Sequence, residues 1–228
     1  SNKITEGVKL IRSNQEQNVK KAEQNFTEAL HSKPRMFGAY LKYSDAYLSV
    51  NRFEAARKKL LELKTLDSKN PDLYMHWGEY YEALKEYSQA KEQYNEAVKL
   101  EPGNIEALDR IAKIDMKLGD IESAKKAYKD ILDKEQNNAL AHYGLLTIFI
   151  MQDDLNNVRR QHYKVLTVGR KEKNPEALTK LAEFYIDYEP QSPPPEKNIY
   201  FNKEEIKDEL FRLAADTLSR VEKMDNKY

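Results

Sequence analysis

The sequence predicts an all-α fold built from consecutive helix hairpins, and three observations carry that prediction. Apolar side chains recur every three or four residues over long segments, the spacing that gathers them on one helical face. The pattern itself repeats with a period of 34 residues through most of the chain. Glycine is scarce, 7 in 228 residues, while charged residues make up 33%, the composition of solvated helices rather than of turn-rich sheets.

The stretch from Asn70 to Asn104 shows the pattern most cleanly. Its first helix carries Tyr74, Trp77, Tyr81 and Leu84 on one face, and its second carries Tyr87, Ala90, Tyr94, Ala97, Val98 and Leu100. Gly78 and Ala90 are small where the two helices are expected to cross. A single hairpin cannot bury both stripes, so it requires neighbouring copies. Steps of 34 residues find them: Tyr40, Tyr74, Leu108 and His142 form one series, and Tyr43, Trp77, Ile111 and Leu145 another. The small slot reads Ser44, Gly78 and Ala112, with Leu146 as the exception. In the second helices Phe53, Tyr87, Ile121 and Leu155 recur, then Ala56, Ala90, Ala124 and Val158. Leu60, Tyr94, Tyr128 and His162 follow, then Leu63, Ala97, Ile131 and Val165.

In chain order, residues 3–36 form a divergent first unit. Its second helix fits through Ala22, Phe26, Ala29 and Leu30, and its first, around Ile4 to Ile11, fits if the loop from Ser13 to Asn18 is about three residues longer. Units 37–70, 71–104, 105–138 and 139–172 then keep register without insertion. Asn70, Asn104, Asn138 and Asn174 stand where helices begin, since Asn accepts a bond from an orphan N–H, and Pro71 and Pro175 suit the first helical position. Pro34 and Pro102-Gly103 end the helices before them. In the third of these units Asp115 stands where its neighbours have Tyr81 and Phe149, so the helix is expected to tilt, or the carboxylate to reach water or a ligand. Residues 139–151 are apolar almost all round, and Leu140, Tyr143, Ile150 and Met151 exceed what stacked neighbours would cover. A partial unit (175–187) carries Ala177, Leu178, Leu181, Ala182 and Tyr185. A Pro-rich loop (188–202) and a helix (203–225) striped with Ile206, Leu210, Leu213, Leu218 and Val221 follow, the helix capping the stack or folding into its hollow side.

The period, the Trp/Leu–Gly–Tyr and Ala–Tyr–Ala slots and Pro102 together resemble the tetratricopeptide repeat family over about residues 3–187. The resemblance implies an α-α superhelix: a right-handed solenoid of helix-turn-helix repeats, residues 1–187, with a concave groove lined by the first helices and a C-terminal capping helix. Carried residue by residue, it places Leu41, Asp45 and Leu48, then Met75, Glu79 and Glu82, then Asp109, Lys113 and Met116, and finally Leu140, Tyr143, Thr147, Ile150 and Met151 in that groove. His76 is expected to face it as well. The family's carboxylate clamp for heat-shock chaperone tails needs Lys and Asn residues where this chain has Leu41, Asp45, His76 and Glu106, and only Arg110 fits. No such chaperone partner is expected.

Composition narrows the remaining function classes. Lys plus Arg and Asp plus Glu are both 38, so no net field favours nucleic acid or an anionic membrane. With no cysteine there is no disulfide, thiolate zinc site or cysteine nucleophile. His142 and His162 fall on facing helices of one unit, where they meet as metal ligands or a proton pair, or pack in the aromatic slots they replace. No third ligand, phosphate loop or acid–base dyad accompanies them, so neither metal, cofactor nor catalysis is expected. Tyr40, Tyr43, Tyr47, Tyr74, Tyr81 and Tyr94 lie on packing stripes and are read as core, not as a platform for stacking bases. What remains is a protein-interaction scaffold whose groove, acidic at its middle and apolar to either side, takes a peptide or helix bearing apolar anchors and Lys or Arg. The alternative is a self-associating or lipid-anchored assembly factor of a bacterial envelope. The chain starts Ser-Asn without an initiator Met, as a trimmed or processed product does, and the compartment is cytoplasmic or, if a signal or lipoprotein leader was removed, the bacterial envelope or periplasm.

Overall fold

The computed structural model describes residues 2–33, 35–152 and 154–171. Pro34, the start at Asn174, the partial unit 175–187, the Pro-rich loop 188–202 and the helix 203–225 lie outside the described residues. Among the described residues there are ten α-helices and no strand. They are α1 (Asn2–Arg12), α2 (Glu16–Ser32), α3 (Phe37–Leu48), α4 (Phe53–Leu66), α5 (Pro71–Ala83), α6 (Tyr87–Leu100), α7 (Ile105–Leu118), α8 (Ile121–Lys134), α9 (Ala139–Met151) and α10 (Leu155–Lys171). The chain divides into two compact units, Ser1–Gly119 and Asp120–Tyr228.

The helix starts follow the sequence signals. Asn70, Asn104 and Asn138 each accept a bond on the side chain, from the backbone N–H of Asp72, Ala107 and Ala141 respectively. Asp120 does the same for Ser123. The hairpin turns use one left-handed residue each: Asn14, Asn51, Lys85 and Gly119, with φ of 53°, 58°, 62° and 80°. The last three are 34 residues apart, so the turn belongs to the repeat as much as the packing slots do. In the first hairpin the extra residues lie in α2, not in the loop. Only Ser13, Asn14 and Gln15 connect α1 to α2, while α2 runs 17 residues against 14 for α4. A helical extension satisfies each added backbone group internally, which a longer loop would not.

In the first unit the core is aromatic. Tyr43 and Tyr47 are fully buried, Phe26 meets Tyr40 edge-on at 5.0 Å, and the Tyr43 hydroxyl donates to the Ala22 carbonyl at 2.8 Å. Gly78 admits the Tyr94 ring: a Cβ there would lie 2.3 Å from it. Gly7 and Tyr43 repeat the arrangement within the unit. Of the expected tyrosine core, Tyr74 and Tyr81 are only half-buried, Tyr81 stacking on Trp77 at 5.8 Å, while the unassigned Tyr80 is buried. Leu100, at the end of α6, is exposed instead of packed. Two buried charges also belong to this unit. Lys59 is paired to Glu23 at 2.8 Å and lies 4.2 Å over the Phe26 ring. Asp115 does not reach water; it is 1% exposed and accepts from the Lys91 ammonium, so α6 supplies the charge that an isolated buried carboxylate would lack.

In the second unit α9 is apolar all round, as expected, and packs against both α8 and α10. Gly144 admits the Tyr128 ring, to which an added Cβ would approach within 2.2 Å. His142 and His162 are both buried. The ring nitrogens of His142 lie 2.8 Å from Gln161 Oε1 and 3.1 Å from the Gln136 carbonyl, so both are taken by protein groups.

Candidate functional site

In the first unit α3, α5 and α7 are the first helices of successive hairpins, and their polar side chains meet in one continuous network. It starts on α3, where Asp45 Oδ1 accepts from His76 Nδ1 of α5 at 2.7 Å. Glu79, one turn further along α5, brings Oε2 within 3.2 Å of the same nitrogen. From α7, Arg110 reaches back with Nη2 at 3.3 Å from Glu79 Oε1 and Nη1 at 3.3 Å from Glu82 Oε2. Glu106 closes on Nη2 at 3.9 Å. The Tyr94 hydroxyl, from the core of the hairpin, donates to Glu82 Oε2 at 2.7 Å. Asp109 pairs with Lys113 beside them.

The electrostatics follow from this crowding of carboxylates. Burial works against a charged His76 ring, but the hydrogen bonds and charges of Asp45 and Glu79 outweigh it and push its pKa up to about 10. The ring is therefore an imidazolium at neutral pH. Glu79 is desolvated, yet its carboxyl pKa is held below the ordinary value by the His76 hydrogen bond and charge and by Arg110. Burial and the bond to Glu82 raise the Tyr94 phenol pKa, so it stays a donor. Asp45, Glu79, Glu82, Glu106 and Asp109 thus face His76, Arg110 and Lys113: five carboxylates against three cations. Asp45 keeps 43% of its side chain exposed and Glu106 68%, leaving oxygen lone pairs open to solvent.

The same side chains include the one trio of metal-ligand types found close together among the described residues: Asp45, His76 and Glu79, with ligand atoms within 4.8 Å of one another. The fit to a divalent ion is poor. The ion would have to displace a proton held with a pKa near 10 and sit beside the Arg110 guanidinium. The trio reads as an ion-pair network.

Of the other residues expected on this face, Leu41, Leu48 and Met116 are half-buried. Met75 is not on it: it is buried against Ala90, Tyr94 and Ile114, because its position on α5 turns it towards α6 and α7. In the second unit Leu140, Tyr143 and Thr147 are half-buried, Met151 is exposed and Ile150 is buried in the packing of α9. Sequence reasoning counted Arg110 only as a remnant of a chaperone clamp. In the structure it is the hub of the network, and Glu79 and Glu82 one hairpin earlier, with Glu106 one turn earlier on its own helix, were the available signal.

Tetratricopeptide repeat models match residues 15–71 and 81–147, together more than half of the chain. The TPR repeat-containing protein YpiA of Bacillus subtilis is 27% identical over 147 residues, covering 64% of this chain and 34% of that protein. Protein O-mannosyl-transferase TMTC3 of Homo sapiens is also 27% identical, over 146 residues, 64% of this chain and 16% of that protein. The chain therefore spans about a third or less of the length of these relatives. Among solved structures, PilF of Pseudomonas aeruginosa superposes with a TM-score of 0.62 at 14% identity, covering 96% of this chain and 92% of that one. MamA of Desulfovibrio magneticus gives 0.56 at 16% identity, covering 84% and 96%. These two likenesses show the fold, all-α and of the helix-hairpin solenoid class.

Proposed function

The chain belongs to the tetratricopeptide repeat family, and we propose that the α3–α5–α7 face of its first unit is a groove for a peptide segment or helix of a partner protein. Arrays of this family are protein-interaction scaffolds and as a rule not catalysts, so the finer question is what this one selects. The observation that supports a Lys- or Arg-bearing segment is the surplus of carboxylates on the face, with Glu106 largely exposed and Asp45 partly so. A ligand cation settles beside Asp45 or between Glu106 and Glu82, and an apolar neighbour in the ligand rests on Leu41, Leu48 or Met116. Partial burial strengthens each pairing relative to water while the charge balance rejects acidic segments.

The test is a peptide array in which Leu-rich segments carry Lys, Arg, Gln or Glu at the centre, probed with the intact chain and with Asp45→Lys and Glu106→Lys variants. Both positions are exposed enough for the variants to fold, which circular dichroism checks. Lys and Arg peptides are expected to bind, and the reversals to weaken them about tenfold. Binding that ignores the central residue, or that survives both reversals, overturns the assignment. A second reading, self-association, is favoured by one observation: Met151 is 58% exposed at the end of α9. Light scattering giving a mass well above 26.7 kDa that Met151→Lys returns to monomer would support it.

A further inference from the structure

The second unit holds a cleft of about 620 Å³ lined by α8, α9 and α10. From α9 the buried Leu145 and Phe149 give it an apolar floor, with the buried His142 beside them. Its walls are basic: Lys125 and Lys129 come from α8, and Arg160 and Lys164 from α10. Lys125 is already engaged, with its ammonium 4.9 Å over the Phe149 ring and 3.5 Å from Gln152 Oε1. Lys129, Arg160 and Lys164 are exposed and have no ion-pair partner among the described residues. Of the two carboxylates lining the cleft, Asp133 and Asp154, the second is spent on the start of α10, accepting from the Asn157 backbone N–H at 3.2 Å and its side-chain amide at 2.7 Å. The cleft therefore presents four cations against two carboxylates around an apolar floor.

We propose that this cleft binds an acidic peptide segment carrying one bulky apolar side chain. The apolar side chain rests on Phe149 and Leu145, and flanking Asp or Glu residues pair with Lys129 on one wall and with Arg160 and Lys164 on the other. The volume lies within the roughly 300–1,000 Å³ of ordinary ligand pockets. A small inorganic anion would meet one wall only and leave the floor uncovered, whereas a peptide spans both walls and covers it. The site is independent of the acidic face of the first unit and selects the opposite charge, so one scaffold can hold two chemically distinct segments.

The experiment is fluorescence anisotropy with the intact chain and a fluorescein-labelled peptide holding Phe between runs of Glu. Saturable binding is expected, weakened about tenfold by the double variant Lys129→Glu/Arg160→Glu and by replacing the peptide's Phe with Ala. Lys164→Glu serves as the second variant should circular dichroism show the double variant unfolded. No saturable binding, or equal binding by the variants, overturns the proposal. So does equal affinity for the Phe and Ala peptides, which would reduce the cleft to general anion attraction. Binding to phosphatidylserine vesicles that the same variants abolish, without peptide binding, would assign the cleft to a lipid surface and overturn it too.

Discussion

Raising the pH is expected to loosen the first unit through His76. The ring sits on α5 between Asp45 of α3 and Glu79 of its own helix, with Arg110 of α7 on the far side of Glu79. In the folded chain its pKa rises from 6.5 to about 10, so the native state holds a proton that the unfolded chain releases. The contribution is complete below pH 6.5 and disappears as the pH climbs through about 10. At about 1.4 kcal/mol per unit the shift sets a ceiling of about 5 kcal/mol. Asp45 is 43% exposed, so solvent screening brings the expected contribution down to about 2 kcal/mol. Urea denaturation of the parent chain and of His76→Gln at pH 6.5, 8 and 10 isolates it, because tyrosine and lysine titrations common to both cancel in the difference. The two are expected to differ by about 2 kcal/mol at the lowest pH and to converge at the highest. With four histidines in the chain, the His76 ring resonance is assignable by its absence from the variant. A ring that titrates near 6.5, or a difference that does not change with pH, would refute the network as drawn.

Three further substitutions test the packing. Lys91→Ala strands the buried Asp115 carboxylate and should cost about 3 kcal/mol in urea melts, while Lys91→Met with Asp115→Leu should recover most of it; equal losses would mean the pair is not a buried one. Gly78→Ala drives a Cβ into the Tyr94 ring and is expected to cost about 2 kcal/mol, whereas Gly38→Ala, with open space around it, should cost nothing; matching melting temperatures would contradict the close approach. Lys85 occupies the left-handed turn slot that Gly119 fills one repeat later, so Lys85→Gly should stabilise the chain by about 1 kcal/mol, measured as a rise in Tm.

The repeat, its helix pairs and its Asn caps were legible because each depends on residues near in sequence. Backbone hydrogen bonds within a helix need no distant partner, and a stripe of apolar residues fixes which face is hidden wherever the helix goes. The tyrosines at 43, 47 and 94 were readable as core for that reason. Periodicity assigns a face only to within a fraction of a turn, however. It therefore chose Tyr81, which the structure packs half-buried against the core, and passed over its more deeply buried neighbour Tyr80, while the family resemblance placed Met75 in the groove where the structure buries it.

The sequence by itself determined the helix-hairpin class and the slots at which helices must pack, because a 34-residue period of apolar side chains permits few other arrangements. Only the tertiary structure decided which charges share an environment. Asp45 meets His76 across 31 residues, Asp115 meets Lys91 across 24, and Arg110 finds carboxylates 28 and 31 residues before it. An ion pair acts through distance in space, and its strength depends on how much water its surroundings exclude. Neither quantity exists in the chain until the helices have been laid side by side.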